Sequence, residues 1–167
     1  MTRTPFYRYD LNLLRRTLEE LNAQISNDTG WHVHYAVKAN ANPLVLKPIM
    51  ESGLGADCVS GGEVQAALDA GFAPDRIVFA GVGKDDWEID LALRNGIFCF
   101  NVESEAELDV IQERACRMGR TARIALRVNP DIDAHTHSGI TTGLAENKFG
   151  INLDLLEPLV RKALKME

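Results

Sequence analysis

Apolar segments with the composition of β-strands recur along this sequence at nearly constant intervals. They start near residues 32, 55, 76, 97 and 123, which gives steps of 23, 21, 21 and 26 residues. Stretches with helical periodicity follow each of them, at about residues 43–52, 61–70, 85–95, 103–118 and 153–165. Because strands that alternate with helices at this spacing form βαβ units, the sequence predicts an α/β domain with a parallel sheet.

Residues that favour helix ends support these boundaries. Ser60 precedes a predicted helix and has Glu63 three positions later, which is the pattern of a capping box. Glycine adopts the left-handed conformation more readily than other residues and often follows a helix. It follows four of the predicted helices, as Gly53, Gly71, Gly96 and Gly119.

Two of the predicted strands separate bulky apolar residues from small and polar ones. Alternate positions of residues 33–38 and 124–129 carry the large apolar side chains Val33, Tyr35, Val37, Ile124, Leu126 and Val128. On the opposite face, small Ala36 and Ala125 are followed by polar Lys38 and Arg127. A strand covered by helices on both faces would be apolar at nearly every position. The pattern therefore favours a (β/α) barrel, with a ligand at the carboxyl ends of its strands, over an open doubly wound sheet.

Charge and composition exclude several classes of function. The 167-residue chain has 18 Lys and Arg against 24 Asp and Glu, a formal net charge of −6. Nucleic-acid and membrane-surface binders need a cationic face, so neither partner is expected. No apolar run reaches the roughly 20 residues of a membrane helix, and no secretory signal is evident. Three cysteines, an odd number without metal-type spacing, indicate reduced thiols and a cytoplasmic protein.

Three charged residues at strand ends are the main candidates for chemistry. Lys38 ends the first strand, Asp57 the second and Arg127 the fifth, so all three would reach the same rim of a barrel. A lysine whose pKa is lowered by a low dielectric or by cationic neighbours can attack a carbonyl group and form a Schiff base. Alternatively, Lys38 is a solvated lysine and the other two are structural ion-pair partners. Glu63 is either a capping-box residue or part of the site.

Weaker candidates are two His-x-His pairs, at 32–34 and 135–137, and a long irregular segment, 129–150. Neither pair has a third and fourth ligand at suitable spacing, so no metal is expected.

The irregular segment 129–150 follows the carboxyl end of a strand, and a loop of this length in a compact domain usually has a functional role. The cysteines are expected to be small buried apolar residues, namely Cys58, Cys99 and Cys116.

Six segments, in order along the chain, resemble the fold-type III pyridoxal-phosphate decarboxylases. They are Pro-Phe-Tyr-Arg-Tyr-Asp at 5–10, Tyr-Ala-Val-Lys-Ala-Asn at 35–40, Gly-Ala-Asp-Cys-Val-Ser-Gly-Gly-Glu at 55–63, Phe-Cys-Phe-Asn-Val-Glu-Ser at 98–104, Arg-Val-Asn-Pro at 127–130 and Thr-Gly-Leu-Ala-Glu-Asn-Lys-Phe-Gly at 142–150. The resemblance covers nearly the whole chain. The third and sixth segments look more like family members that act on diaminopimelate than like those that act on ornithine.

The resemblance implies an alanine racemase-like (β/α)8 barrel, of which about five of the eight βα units are present here. Residues 1–31 would be an N-terminal strand and helix leading into the barrel, and residues 32–167 its first five units. Later barrel strands and a C-terminal β-domain, which complete the site in the family, lie outside this sequence. The chain alone is therefore expected to have little or no decarboxylase activity.

The resemblance also implies a role for individual residues. Lys38 would form the Schiff base with pyridoxal 5′-phosphate, and Asp57 and Arg127 would lie around the cofactor ring and its 3′ oxygen. Glu63 would belong to a nearby hydrogen-bond network. The residues of the active-site loop would include Thr141, Thr142 and Lys148.

The implied activity is the decarboxylation of meso-2,6-diaminopimelate to L-lysine, in a homodimer whose subunits share the active site. The substrate is a small amino acid. Two alternatives are another decarboxylase of the same fold, acting on ornithine, arginine or carboxynorspermidine, and a non-catalytic fragment or interaction module.

Overall fold

The computed structural model describes residues 3–25, 30–130 and 149–166. Its five-stranded parallel sheet has the strand order β1-β2-β3-β4-β5. The strands are β1 (His34–Ala36), β2 (Gly55–Cys58), β3 (Ile77–Phe79), β4 (Cys99–Val102) and β5 (Ile124–Leu126). The helices are α1 (Leu11–Gln24), α2 (Pro43–Glu51), α3 (Gly61–Asp69), α4 (Asp86–Asn95), α5 (Glu105–Met118) and α6 (Leu153–Ala163). A separate parallel pair is formed by β6 (Val128–Asn129) and β7 (Ile151–Asn152).

The strand order follows the chain without a reversal, as it does in a (β/α) barrel. Right-handed crossovers between successive neighbouring strands place their helices on one side of the sheet, whereas a doubly wound sheet needs a reversal of strand order. The described strands form an open arc with β1 and β5 at its edges. The predicted α/β architecture of βα units is confirmed.

The two faces of the sheet differ in the way that the sequence pattern predicts. On the helix-side face, the side chains are buried against the helices: Ala56, Cys58, Ile77, Phe79, Phe100 and Val102. The alternate side chains form the open face. Cys99, aligned with Val78, is buried there, and the others are half-buried or exposed: Ala36, Asp57, Val78, Asn101 and Ala125. Strand register aligns Asp57 with Ala36 on one side and with Val78 on the other. Large apolar residues therefore build the core, and the open face keeps small and polar residues.

The starts of α3 and α5 explain why these helices begin where they do. Ser60 Oγ accepts a hydrogen bond from the Glu63 backbone N–H at 3.2 Å, and Ser104 Oγ accepts one from Glu107 at the same distance. Asp85 and Glu88 form a reciprocal capping box at α4. Each cap satisfies backbone donors that have no partner within the helix. As a result, α3 and α5 each begin three positions after their strands end, and α4 begins seven positions after β3 ends.

Two sequence-based predictions need correction, and a third stays a prediction. No strand is described in residues 3–10, where Tyr7 is 91% exposed, and the N-terminal strand expected within residues 1–31 stays a prediction. Cys116 is exposed rather than buried, because it lies on the outer surface of α5; Cys58 and Cys99 are buried. The fifth predicted strand is divided at Arg127, because β5 pairs with β4 whereas β6 pairs with β7. In the described residues, no helix has the length and apolar character required to cross a membrane.

Candidate active site

Lys38 follows the end of β1 in a single turn of 3-10 helix, Val37–Ala39. Val37 is fully buried and anchors the turn, whereas Lys38 is exposed. The hydroxyl of Tyr35 donates to the carbonyl of Asn40 at 3.3 Å, which joins the strand to the end of the turn. Lys38 therefore lies just beyond the carboxyl end of the sheet instead of being the last strand residue.

Asp57 lies on the open face in the middle of a strand that is otherwise buried. Its neighbour Cys58 points to the other face and is fully buried. Burial raises the pKa of the Cys58 thiol to about 12, with smaller contributions from the carboxylates of Glu63 and Asp57. A thiol with so high a pKa is a poor nucleophile, so Cys58 acts as a core residue. Of these two adjacent residues, Asp57 alone is available for chemistry on the open face.

Arg127 forms an ion pair with Glu103 above the end of β4. Its Nη1 atom is 2.9 Å from Glu103 Oε1 and 3.0 Å from Oε2. The Arg127 side chain is 50% exposed, whereas that of Glu103 is only 3% exposed. The guanidinium also lies 5.7 Å from the centre of the Phe149 ring. The structure thus presents a cation at the rim, held from beneath by a buried carboxylate.

A buried lysine lies behind this ion pair. Lys84 Nζ donates to the backbone carbonyls of Gly81 at 2.7 Å and Asn101 at 2.9 Å. It also contacts Glu107 Oε1 at 2.5 Å, and its side chain is 1% exposed. Because all of these partners belong to the β3–α4, β4 and α5 segments, Lys84 fixes the loops around the rim.

Sequence analysis missed Glu103, Lys84 and Asn101. Asn101 lies on β4 and Glu103 just beyond its end, two positions apart, so the alternation of side chains along a strand places both on the same face. This alternation is visible in the sequence and was a usable signal. No local signal identifies Lys84: its partner Gly81 is three positions away, but Asn101 and Glu107 are 17 and 23 positions away in sequence. The missed groups therefore depend on packing between segments.

The Glu63 carboxylate bonds to the chain just before its helix. Its Oε2 atom accepts a hydrogen bond from the Val59 backbone N–H at 2.9 Å. Ser60 Oγ accepts from the Glu63 N–H as predicted, but the carboxylate does not reach the Ser60 N–H, so only half of the predicted capping box is present. A role for Glu63 in a network around a cofactor stays a prediction.

Three predicted loop residues, Thr141, Thr142 and Lys148, lie outside the described residues, as does the 135–137 histidine pair. In the other pair, His32 Nδ1 is 3.2 Å from Arg76 Nη1, whereas His34 Nδ1 is 3.4 Å from the Ala56 carbonyl. Within the described residues, no group of three or more His, Cys, Asp or Glu side chains could hold a metal ion.

Comparison with known proteins identifies the family. Residues 11–167 match the family described as "Pyridoxal-dependent decarboxylase, pyridoxal binding domain". The chain belongs to the pyridoxal-dependent decarboxylases. The expected cofactor, pyridoxal phosphate, is confirmed at the level of this family.

Curated relatives share much of the sequence. The diaminopimelate decarboxylase of Bacteroides thetaiotaomicron is 58% identical over 164 residues, which are 98% of this chain and 42% of the relative. The diaminopimelate decarboxylase of Aquifex aeolicus is 44% identical over 98% of this chain and 38% of its own length. The chain therefore spans about two fifths of the relatives that it matches.

Solved structures share the fold. Diaminopimelate decarboxylase from Helicobacter pylori, complexed with L-lysine, has a TM-score of 0.88 and 43% identity, covering 99% of this chain and 42% of that one. The arginine decarboxylase of Paramecium bursaria Chlorella virus has a TM-score of 0.71 and 26% identity, covering 91% and 39%. These similarities agree with a partial barrel of the decarboxylase type.

Proposed function

We propose that this chain is the N-terminal, cofactor-binding part of an enzyme that decarboxylates meso-2,6-diaminopimelate to L-lysine. The observation that carries the proposal is the 58% identity, over 98% of the chain, to a diaminopimelate decarboxylase. The solved relative that contains L-lysine supports the same assignment. The proposal also includes the homodimer with a shared active site and the cytoplasmic location that were expected from the sequence.

The residues of the open face fit pyridoxal phosphate in their chemistry. A primary amine, Lys38, can condense with an aldehyde, and Arg127 offers a cation to an anionic oxygen. Two positions of the open face have small side chains, Ala80 just after β3 and Ala125 on β5, so a flat aromatic ring meets little steric obstruction at these two positions. Pyridoxal phosphate, when bound, supplies the ring that takes up the electron pair left by the departing carboxylate.

Each of the three charged residues has a proposed task. The Lys38 amine anchors the cofactor, and its position beyond β1 leaves it accessible from the open face. The Asp57 carboxylate and the Arg127 guanidinium orient the cofactor from two other strands. Because opposite charges flank the same region, they favour a polar ligand held in one orientation.

A chimera tests the proposal in a complete enzyme. This chain replaces the matching 164 residues of the Bacteroides thetaiotaomicron relative, and carbon dioxide release from meso-diaminopimelate is measured. We expect the chimera to be active and Lys38→Ala to reduce its activity to background. Lys47→Ala is the matched control, because Lys47 is an exposed lysine on α2 whose ion pair with Glu51 is 3.9 Å long.

Two outcomes would contradict the proposal. A folded chimera without activity would show that this chain does not supply the cofactor-binding part. A Lys38→Ala chimera as active as Lys47→Ala would remove Lys38 from its proposed role. Assays with arginine and ornithine test the alternative substrates, and the 167-residue chain assayed alone is expected to show no appreciable decarboxylation.

A further inference from the structure

The carboxylate of Glu103 is not needed to cap helix α5, which begins two residues later. Helices α3 and α5 begin with the same arrangement: a serine cap, and a glutamate that reaches back to the residue before the serine. At α3 the Glu63 carboxylate accepts from the Val59 N–H at 2.9 Å, and at α5 the Glu107 carboxylate accepts from the Glu103 N–H at 2.8 Å. The preceding residue is therefore valine in one helix and glutamate in the other. Since both helices are capped, the Glu103 carboxylate has another role.

That carboxylate is the fixed member of its ion pair. Besides Arg127, Glu103 Oε1 accepts a hydrogen bond from the Gly81 N–H at 3.2 Å. The backbone of Glu103 is held by Glu107, which in turn contacts buried Lys84. A carboxylate that is 3% exposed requires such partners, because burying an unpaired charge is strongly unfavourable. Half-exposed Arg127, by contrast, would be free to adopt many rotamers without an anchor.

The guanidinium is held on a second side by Phe149, and the chain around it by the residues that follow. Phe149 contacts it through its ring, and Ile151 N donates to the Arg127 carbonyl at 2.7 Å. A Cβ atom at Gly150 would lie 3.0 Å from the same carbonyl, so a glycine there permits the close approach. Arg127 thus lies between a buried carboxylate and an aromatic ring.

We propose that Glu103 is the positioning residue of Arg127, which holds the guanidinium at the rim of the open face and partly offsets its positive charge. This inference rests on the proposed function, in which Arg127 orients the cofactor. Glu103 itself acts through Arg127, and its charge lowers the positive potential that a bound cofactor experiences.

The first test uses the 167-residue chain without cofactor. Nuclear magnetic resonance of the arginine side chains, with Arg127 assigned from Arg127→Lys, measures the rotation rate of the guanidinium. We expect Glu103→Gln to speed this rotation about tenfold or more, because the ion pair with two accepting carboxylate oxygens is replaced by a hydrogen bond to one uncharged amide oxygen. Glu88→Gln is the matched control: Glu88 is also buried, and it accepts from the backbone N–H groups of Gly61 and Asp85.

The second test uses the chimera loaded with pyridoxal phosphate. The pH midpoint of the cofactor absorbance that depends on Lys38 is compared among variants. Loss of the Glu103 charge makes the site more positive and disfavours the protonated, more cationic form. Glu103→Gln is therefore expected to move the midpoint to lower pH, whereas Glu88→Gln leaves it unchanged.

The outcomes separate this inference from the proposed function. If Glu103→Gln changes neither the rotation rate nor the midpoint beyond Glu88→Gln, the positioning role is wrong. If the unmutated chimera lacks the Lys38-dependent absorbance, the proposed function fails, while the rotation rate still tests the contact. If Glu103→Gln does not fold, the double variant with Arg127→Gln should regain stability, and a double variant no more stable than the single one would overturn the inference.

Discussion

The two faces of the sheet have different roles: one forms the apolar core, and the other presents small and charged residues. The helix-side face consists of buried apolar side chains, among them Phe79 and Phe100, whose ring centroids are 6.1 Å apart. The open face has small residues and the charged groups Asp57 and Arg127. Stability is thus concentrated on one face, which leaves the other free to vary its chemistry at little cost to folding.

Replacing a core aromatic should produce the largest effect. Phe79→Ala removes a fully buried ring, which also lies 5.3 Å below the ammonium group of buried Lys84. We expect the free energy of unfolding to fall by about 3–5 kcal/mol. Adjacent Val78→Ala, on the open face, should lower it by less than about 1.5 kcal/mol. Denaturant unfolding measures both, and equal losses would contradict the division between the faces.

A medium loss of stability is expected at Gly61, which lies in the helix-side packing near the carboxyl end of the sheet. A Cβ atom at Gly61 would lie 2.7 Å from Glu88 Cγ and 2.8 Å from Trp87 Cη2. Gly61→Ala should therefore destabilise the chain by about 1–3 kcal/mol through overpacking. Gly62→Ala is the control, because its nearest neighbour would be Ser60 Oγ at 3.8 Å. If Gly62→Ala proves as destabilising as Gly61→Ala in thermal unfolding, the close approach is not the cause.

The third effect depends on pH and is small within any single pH unit. The pKa of Cys58 in the folded protein, about 12, is above its ordinary value of 9.0, so the folded protein retains a proton that the unfolded chain releases. This contribution to stability is complete below pH 9 and is lost as the pH rises from 9 to 12. The unmutated chain should lose up to about 1.4 kcal/mol per pH unit more than Cys58→Ala in this range.

Exposed Cys116 provides the control for this measurement. Cys116→Ala should keep the steep pH dependence of the unmutated chain. The test compares how the unfolding free energies of the two variants change from pH 8 to 10.5. Identical pH dependences for Cys58→Ala and Cys116→Ala would mean that burial on the helix-side face does not raise the pKa of the Cys58 thiol.

Local pattern was sufficient for much of the fold. The predicted strand starts at 32, 55, 76, 97 and 123 correspond to observed starts at 34, 55, 77, 99 and 124, because apolar periodicity and capping residues act within a few positions. The same periodicity separated the two faces.

The candidate site was only partly accessible to the same reasoning. Lys38, Asp57 and Arg127 could be assigned to one rim, because strand ends of a parallel sheet meet there. Glu63 had two possible roles, and its contact with Val59 was decided by the folded helix start. Glu103 could not be chosen as the partner of Arg127 from among 24 acidic residues, because the two are 24 positions apart.

By itself, the sequence determined the order of the βα units, which side chains enter the core, and the family to which the chain belongs. The tertiary structure alone decided which charges meet: Arg127 with Glu103, and Lys84 with Glu107. The physical reason is that periodicity and capping are local, whereas an ion pair between loops exists only after neighbouring strands have aligned in register. Packing of the helix-side core aligns the strands, and this alignment brings the charged side chains together.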